Sequence, residues 1–265
     1  MSAQMLLDFF KSHIRQPKFQ LGITLTLIFL SAIIYRQSLD FFVMLCIALI
    51  ATVGSDLIFL KLRKKNIFFP SAALATGFII ALLTDPNLLW YNISAIGIVA
   101  MASKHFLRFS GRHVFNPAAF GLFLSSLLFN QNISWWAVSF QQFNISHFSF
   151  IIYFIILLSP AVISVLRMRR FRIIISFLFV YGLFIGLNSK FFLDPTILFF
   201  SLVMLPEPMT TPNNHTRQVL FGTTVALLVI ILSLPILNSK FLILNSFDPL
   251  AFSLLIGNLL FFRFR

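Results

Sequence analysis

Cysteine occurs once, at Cys46, so this chain alone can build neither an internal disulfide nor a cysteine-ligated iron–sulfur centre. Acidic residues are scarce as well, with seven Asp and Glu against twenty Lys and Arg, and charged residues make up only 10% of the sequence. No HExxH motif, Cys/His cluster or nucleotide-binding glycine loop occurs, which excludes the usual metal and nucleotide sites. The five histidines (His13, His105, His113, His147, His215) fall in loops or at the ends of apolar runs. A membrane haem with paired histidines needs them inside facing helices, so a b-type cytochrome is not expected. A cleavable signal peptide is not expected either, since the first apolar run starts late, at Phe19, and others follow. Threonine is missing between Thr84 and Thr196.

Apolar residues dominate instead, at 59% of the chain, which is far above a soluble domain. A membrane span takes about 20 apolar residues. The sequence divides into ten such runs, at 19–35, 39–60, 67–84, 88–103, 115–130, 149–166, 172–188, 191–206, 218–237 and 241–262. The expected fold class is therefore an all-α polytopic membrane protein, multi-pass in the cytoplasmic (inner) cell membrane, with the lipid bilayer as its solvent.

Lys and Arg gather in cytoplasmic loops, which tests this division. With the N-terminus inside, the inner segments hold Lys11, Arg15, Lys18, Lys61, Arg63, Lys64, Lys65, Lys104, Arg108, Arg112, Arg167, Arg169, Arg170, Arg172, Arg217, Arg263 and Arg265. The outer loops hold Arg36, Lys190 and Lys240. One miscounted span would invert every later loop and destroy that asymmetry. The net charge of +13 is thus a record of topology, and no nucleic-acid partner is expected.

The chain also repeats itself. Val114–Phe129 lies over Ser246–Phe261 without a gap, matching Phe115/Phe247, Pro117/Pro249, Ala119/Ala251, Phe120/Phe252, Leu122/Leu254 and Leu127-Leu128-Phe129/Leu259-Leu260-Phe261. Asn116 faces Asp248, and both are good helix N-caps before a proline. Ten spans with this repeat make one membrane domain over 1–265, in two five-helix halves at about 19–130 and 149–262. Five spans per half, an odd number, invert one half relative to the other, and the even total leaves both termini cytoplasmic.

A basic segment (Lys104, His105, Arg108, Arg112, His113) runs into Asn116-Pro117 and an apolar helix. The amino end of such a helix attracts an anion or an electron-rich ring. On spacing alone, a cytoplasmic loop leading into an ordinary span is the favoured reading. Asp56 and Glu207 are carboxylates near the inner ends of spans, where charge is costly unless solvated or paired.

Three stretches resemble the membrane subunit shared by sodium-translocating NADH:quinone oxidoreductase and the Rnf electron-transport complex (NqrB/RnfD). They are KLRKKNIFFPSAALATGFIIALLTDP (61–86), SKHFLRFSGRHVFNPAAFGL (103–122) and LPEPMTTPNNHTRQVLFG (205–222). The resemblance implies an inverted-repeat bundle, flavin cofactors, electron transfer across the membrane, and partners that are other subunits of the complex or a cytoplasmic reductase. The leading expectation for this chain is a non-covalent flavin, FMN or riboflavin, between the inner ends of spans five and eight, near Asn116 and Pro117. Lys104, Arg112 and Arg217 would supply positive potential, Thr210 and Thr211 hydrogen bonds, and Glu207 tuning or cation coupling. No catalytic residue and no metal site is expected.

The chain departs from the family in two places. The family's covalent FMN hangs on a Thr in a Ser/Thr-Gly-Ala-Thr motif, and no such motif occurs here. The family's Asp-Pro is Glu207-Pro208. A non-catalytic electron-transfer subunit is the leading expectation; a cofactor-free channel or carrier for a small polar solute or ion is the alternative.

Overall fold

In the computed structural model, the described residues are 16–38, 40–67, 69–129, 133–138, 147–186, 194–234 and 247–264. Lys11, His13, Arg15, Lys190, Lys240, Arg265, most of the loop between the two halves, and the first residues of the runs at 191–206 and 241–262 lie outside them.

Each apolar run contains a helix. These are α1 (Pro17–Arg36), α2 (Asp40–Leu62), α3 (Ser71–Leu83), α4 (Trp90–Phe106), α5 (Pro117–Phe129), α6 (His147–Arg167), α7 (Phe171–Ile185), α8 (Pro195–Phe199), α9 (His215–Leu232) and α10 (Pro249–Phe261). About three quarters of the chain is helical. Between α4 and α5 a small hairpin pairs β1 (Arg108–Phe109) with β2 (Arg112–His113), antiparallel. Its turn places Ser110 and Gly111 at φ 47° and 82°, the doubly positive pattern that suits a two-residue hairpin.

Among the described residues, three helices are long and apolar enough to cross a membrane unaided, over Pro17–Ile34, Asp40–Leu62 and His215–Leu232. Others are shorter than the runs that contain them. The run at 67–84 becomes helix only from Ser71, because Pro70 at the N-cap has no N–H to give. At 13 residues, α3, α5 and α10 each span about 20 Å, against a hydrocarbon core of about 30 Å.

The outer surface is apolar. Ile34, Phe42, Ile50, Ile58, Ile175, Phe179 and Leu220 are exposed, while Thr24, Thr52, Asp56, Ser201 and Ser253 are buried. A water-soluble monomer does not carry so much contiguous exposed hydrocarbon. The molecule is a membrane protein.

Part of the helix packing recurs. α3 packs on α1, α2, α4 and α5, with α2 on α4 and α4 on α5. The α8 segment packs on α6 and α7, with α7 on α9 and α9 on α10. Across the halves α1 meets α6 and α5 meets α10. Phe123 of α5 stacks on Phe252 of α10 at 5.2 Å between centroids.

Close approach depends on glycine at several of these contacts. A Cβ on Gly121 would lie 2.8 Å from the Ile96 carbonyl oxygen of α4. One on Gly222 of α9 would collide with the Ile173 carbonyl oxygen of α7.

Residues 133–138 cap the carboxyl end of α3. The N–H of Ser134 donates to the Leu83 carbonyl at 2.9 Å and that of Ala137 to Leu82 at 3.3 Å. Trp136 Nε1 donates to the Ala81 carbonyl at 2.8 Å. Trp135 Nε1 reaches Asp248 Oδ2 at 2.7 Å, and Asp248 in turn caps α10 through the N–H of Ala251.

Candidate functional site

The site begins at the amino end of α5. Asn116 Oδ1 accepts the N–H of Ala119 at 3.1 Å, the N-cap role that its position before Pro117 predicts. Its Nδ2 donates to the Met204 carbonyl at 3.2 Å. That carbonyl belongs to a π-helical turn, Phe200–Met204, that continues α8. In the wider turn the N–H of Leu205 bonds back to the Phe200 carbonyl at 2.9 Å. A π turn lacks the i to i+4 register, which frees carbonyls for partners outside the helix.

One residue beyond the hairpin's Arg112, His113 Nε2 lies 2.9 Å from Glu207 Oε1. The other carboxylate oxygen, Oε2, accepts from Thr210 Oγ1 at 3.1 Å. Thr211 Oγ1 donates to the Glu207 carbonyl at 2.7 Å. Both threonines are fully buried. Glu207 therefore sits in a polar pocket whose partners come from both halves of the sequence. The carboxylate that the sequence leaves unpartnered has its ligands already in place.

Arg170, in the turn between α6 and α7, reaches the same segment from another side of the chain. Its guanidinium donates to the Pro212 carbonyl and to Asn213 Oδ1. It is 5% exposed. Burial, and after it the nearby charge of Arg112, hold its pKa below the usual arginine range. Asn214 then caps α9, accepting from the N–H groups of Thr216 and Arg217.

Of the eight residues expected from the sequence, Asn116, Pro117, Glu207, Thr210 and Thr211 come together, with Arg112 beside His113. Arg217 is exposed and lies over the Phe264 ring at 4.8 Å. Lys104 belongs elsewhere. Its ammonium is 2.6 Å from Asp56 Oδ1, and His105 Nε2 is 2.6 Å from the same oxygen. Asp56 is completely buried, so a buried charge network ties α2 to α4. Arg63 Nη1 approaches His105 Nδ1 at 3.5 Å. The reason for the displacement is helical phase: Lys104 and His105 end α4 and face α2, while the hairpin turns the chain before Asn116.

The sequence gives no role to two of the site residues. His113 lies in the basic segment, and its place three residues before the cap is the one signal that marks it. Arg170 belongs to a basic inner loop, and its sequence surroundings carry no further signal.

The polar atoms left over decide whether a flavin suits this place. Arg112 Nη1 and Arg170 Nε are buried donors without a hydrogen-bond partner. An isoalloxazine with its ring carbonyls, or a phosphate, offers acceptors and no competing charge of the same sign. The donor set fits. Asn116 and Glu207, by contrast, are already occupied by protein partners and shape the site.

Residues 10–150 match the model of the NQR2, RnfD, RnfE family. No curated protein matches the chain. The matched region contains the Asn116 motif, and the Glu207 motif lies beyond it.

Proposed function

The chain belongs to the NQR2, RnfD, RnfE family of membrane subunits of electron-transport complexes, and from that premise we propose that it relays electrons through the membrane by way of a non-covalently held flavin. The flavin lies between the amino end of α5 and the segment 205–214. One observation carries the placement. Asn116 and His113, from one motif, bond to Met204 and Glu207, from the other, across separations of 88 and 94 residues. Two stretches with no local reason to meet are built into one polar pocket in an apolar molecule, where polar groups are costly unless used.

In this reading Thr210, Thr211 and the His113–Glu207 pair form the polar wall, and Asn116 fixes the end of α5. Arg112 supplies positive potential beside the ring, and Arg217 adds a more distant charge. A bound flavin supplies the one- and two-electron redox chemistry that no side chain of this chain has. The protein holds the ring in a low-dielectric surround and keeps bulk water off it. Glu207, held by His113 and Thr210, tunes that environment or takes part in ion coupling. Electrons enter and leave through other subunits of a membrane complex or a cytoplasmic reductase.

The recurring part of the helix packing supports a ten-span, inverted-repeat architecture around this pocket, with both termini cytoplasmic. Its two caps correspond: Asn116 meets the carboxyl end of the α8 segment through Met204, and Asp248 meets the loop capping the carboxyl end of α3 through Trp135.

The test is an absorbance spectrum of the purified full-length protein, followed by a denaturing gel viewed under ultraviolet light. Flavin bands in the spectrum, with no fluorescent band at this chain's mass, are expected. A colourless protein from flavin-replete cells overturns the reading in favour of a solute channel. A fluorescent band mapped to this chain overturns the non-covalent attachment.

A further inference from the structure

Four of the five residues at the carboxyl end of α2, Lys61–Lys65, are basic. Arg63 turns inward to His105. Lys61, Lys64 and Lys65 are exposed, and among the described residues their side chains join no hydrogen bond or ion pair. The backbone stops the helix without their help. The N–H of Lys65 donates to the Leu60 carbonyl and that of Lys64 to the Lys61 carbonyl, both at 3.0 Å. Glycine usually takes the left-handed position of this helix stop. Here Lys64 occupies it, at φ 51°. A charged side chain is thus kept where the backbone favours having none. The same two bonds bring the three lysines together in one turn of chain.

No described carboxylate answers these charges. Asp56 and Glu207 are taken by Lys104, His105 and His113. Asp40 begins α2, at the opposite end from the lysines. Asp85 follows the far end of α3, and Asp248 is joined to that end through Trp135. Asp194 begins the α8 segment, whose other end meets Asn116. Asp8 lies outside the described residues.

Beside the lysines the surface is hydrocarbon. Ile67 is 68% and Phe69 74% exposed. Phe106, whose ring lies 5.2 Å from that of Phe59 on α2, extends the patch from α4 and is also exposed. In a molecule whose outer surface meets the bilayer, free ammonium groups next to bare apolar side chains match a phosphate headgroup with acyl chains below it. An acidic soluble protein answers the charge but not the hydrocarbon continuous with the lipid-facing surface. Orientation by positive loops accounts for the charge, and for neither the left-handed lysine nor the exposed rings.

We propose that this turn is a binding site for an anionic phospholipid. Lys61, Lys64 and Lys65 hold the headgroup phosphate, and Ile67 and Phe69 lie against the lipid's apolar part. The site is independent of the flavin reading.

Full-length protein in neutral detergent is titrated with phosphatidylglycerol and with phosphatidylcholine, and each bound lipid is resolved by native mass spectrometry. The first phosphatidylglycerol binds at least tenfold more tightly than the first phosphatidylcholine. Lys64→Gly keeps the helix stop and removes one charge. It melts no lower than the unaltered protein and binds phosphatidylglycerol about fivefold more weakly, the factor that corresponds to about 1 kcal/mol per lysine at an anionic surface. Replacing all three lysines by Gln brings the two lipids within twofold of each other. Should that variant fail to insert, Lys64→Gly answers the same question. Arg169→Gln, Arg172→Gln and Arg263→Gln together, an equal loss of charge at other helix ends, leave the affinity for phosphatidylglycerol within twofold.

Equal affinity of the unaltered protein for both lipids overturns the site. Equal losses in the two triple variants overturn it as well, since any basic helix end then serves. Displacement of phosphatidylglycerol by equimolar inorganic phosphate assigns the lysines to a free anion and overturns the lipid. Lysine-dependent binding of poly-glutamate, without preference between the lipids, assigns the surface to an acidic protein instead.

Discussion

At the scale of single residues, the polar side chains inside this molecule have structural duties that can be separated from their cofactor duties. Asn116→Ala removes the cap on Ala119 and strands the buried Met204 carbonyl. The cap is worth about 1 kcal/mol, and a stranded buried acceptor about 1–3 kcal/mol. The variant should melt at lower temperature in detergent and retain less flavin, whereas Asn116→Asp keeps the cap but replaces the donor with a buried carboxylate oxygen facing the Met204 carbonyl. Thermal melts with flavin absorbance on the same samples check both. Asp56 makes the opposite kind of test. Asp56→Ala leaves the Lys104 ammonium buried alone, at a cost of about 3–5 kcal/mol. Adding Lys104→Met should recover most of that loss, and a double variant no more stable than Asp56→Ala would show that the pair is not the source. The sequence announces Asn116 through Asn-Pro before an apolar run, and Asp56 through a carboxylate in such a run. It does not announce that Asp56, and no flavin, takes Lys104. That depends on which face of α4 meets α2, a matter of packing between helices with nearly uniform apolar surfaces.

Among the elements, the short helices are the main departure from a simple count of apolar runs. Hydropathy sees hydrocarbon, and the run at 67–84 is already apolar before its helix starts at Ser71. The break is set by Pro70, whose ring permits a helix to start after it and forbids continuation behind it. The hairpin between α4 and α5 is legible in Ser110-Gly111, yet two-residue strands lie below any periodic signal. Helix contacts can be tested at glycine. Gly222→Ala places a methyl group against the Ile173 carbonyl, where backbone on both sides resists movement. Overpacking of this sort costs about 1–3 kcal/mol. A lowered melting temperature in detergent is expected, while Gly22→Ala, with nothing within 4 Å, should leave it unchanged. Equal melts for the two variants would mean that α7 and α9 are not in contact.

For the whole molecule, the family was legible from three motifs, and the family model covers the part of the chain holding two of them. The third is joined to the second by bonds from His113 and Asn116 that no local pattern foretells. Topology is the prediction that belongs at this scale. Reporter fusions after Arg63, Arg170 and Arg265 should report the cytoplasm, and fusions after Asn87, Asn132 and Ser239 the other side. Asn132, Ser239 and Arg265 lie outside the described residues, so the fusions add independent information. A cytoplasmic signal at Asn132 would undo the ten-span count and the inversion of the halves. The cap formed by residues 133–138 also sets an order for synthesis. The last carbonyls of α3 have no partner in their own helix and are met by backbone emerging some fifty residues later. Trp135 then waits for Asp248, 113 residues further on. A ribosome must therefore deliver the first half with its linker before α3 is finished, and nearly the whole chain before that linker is fastened. The protein is closed last at its middle, by the arrival of its end.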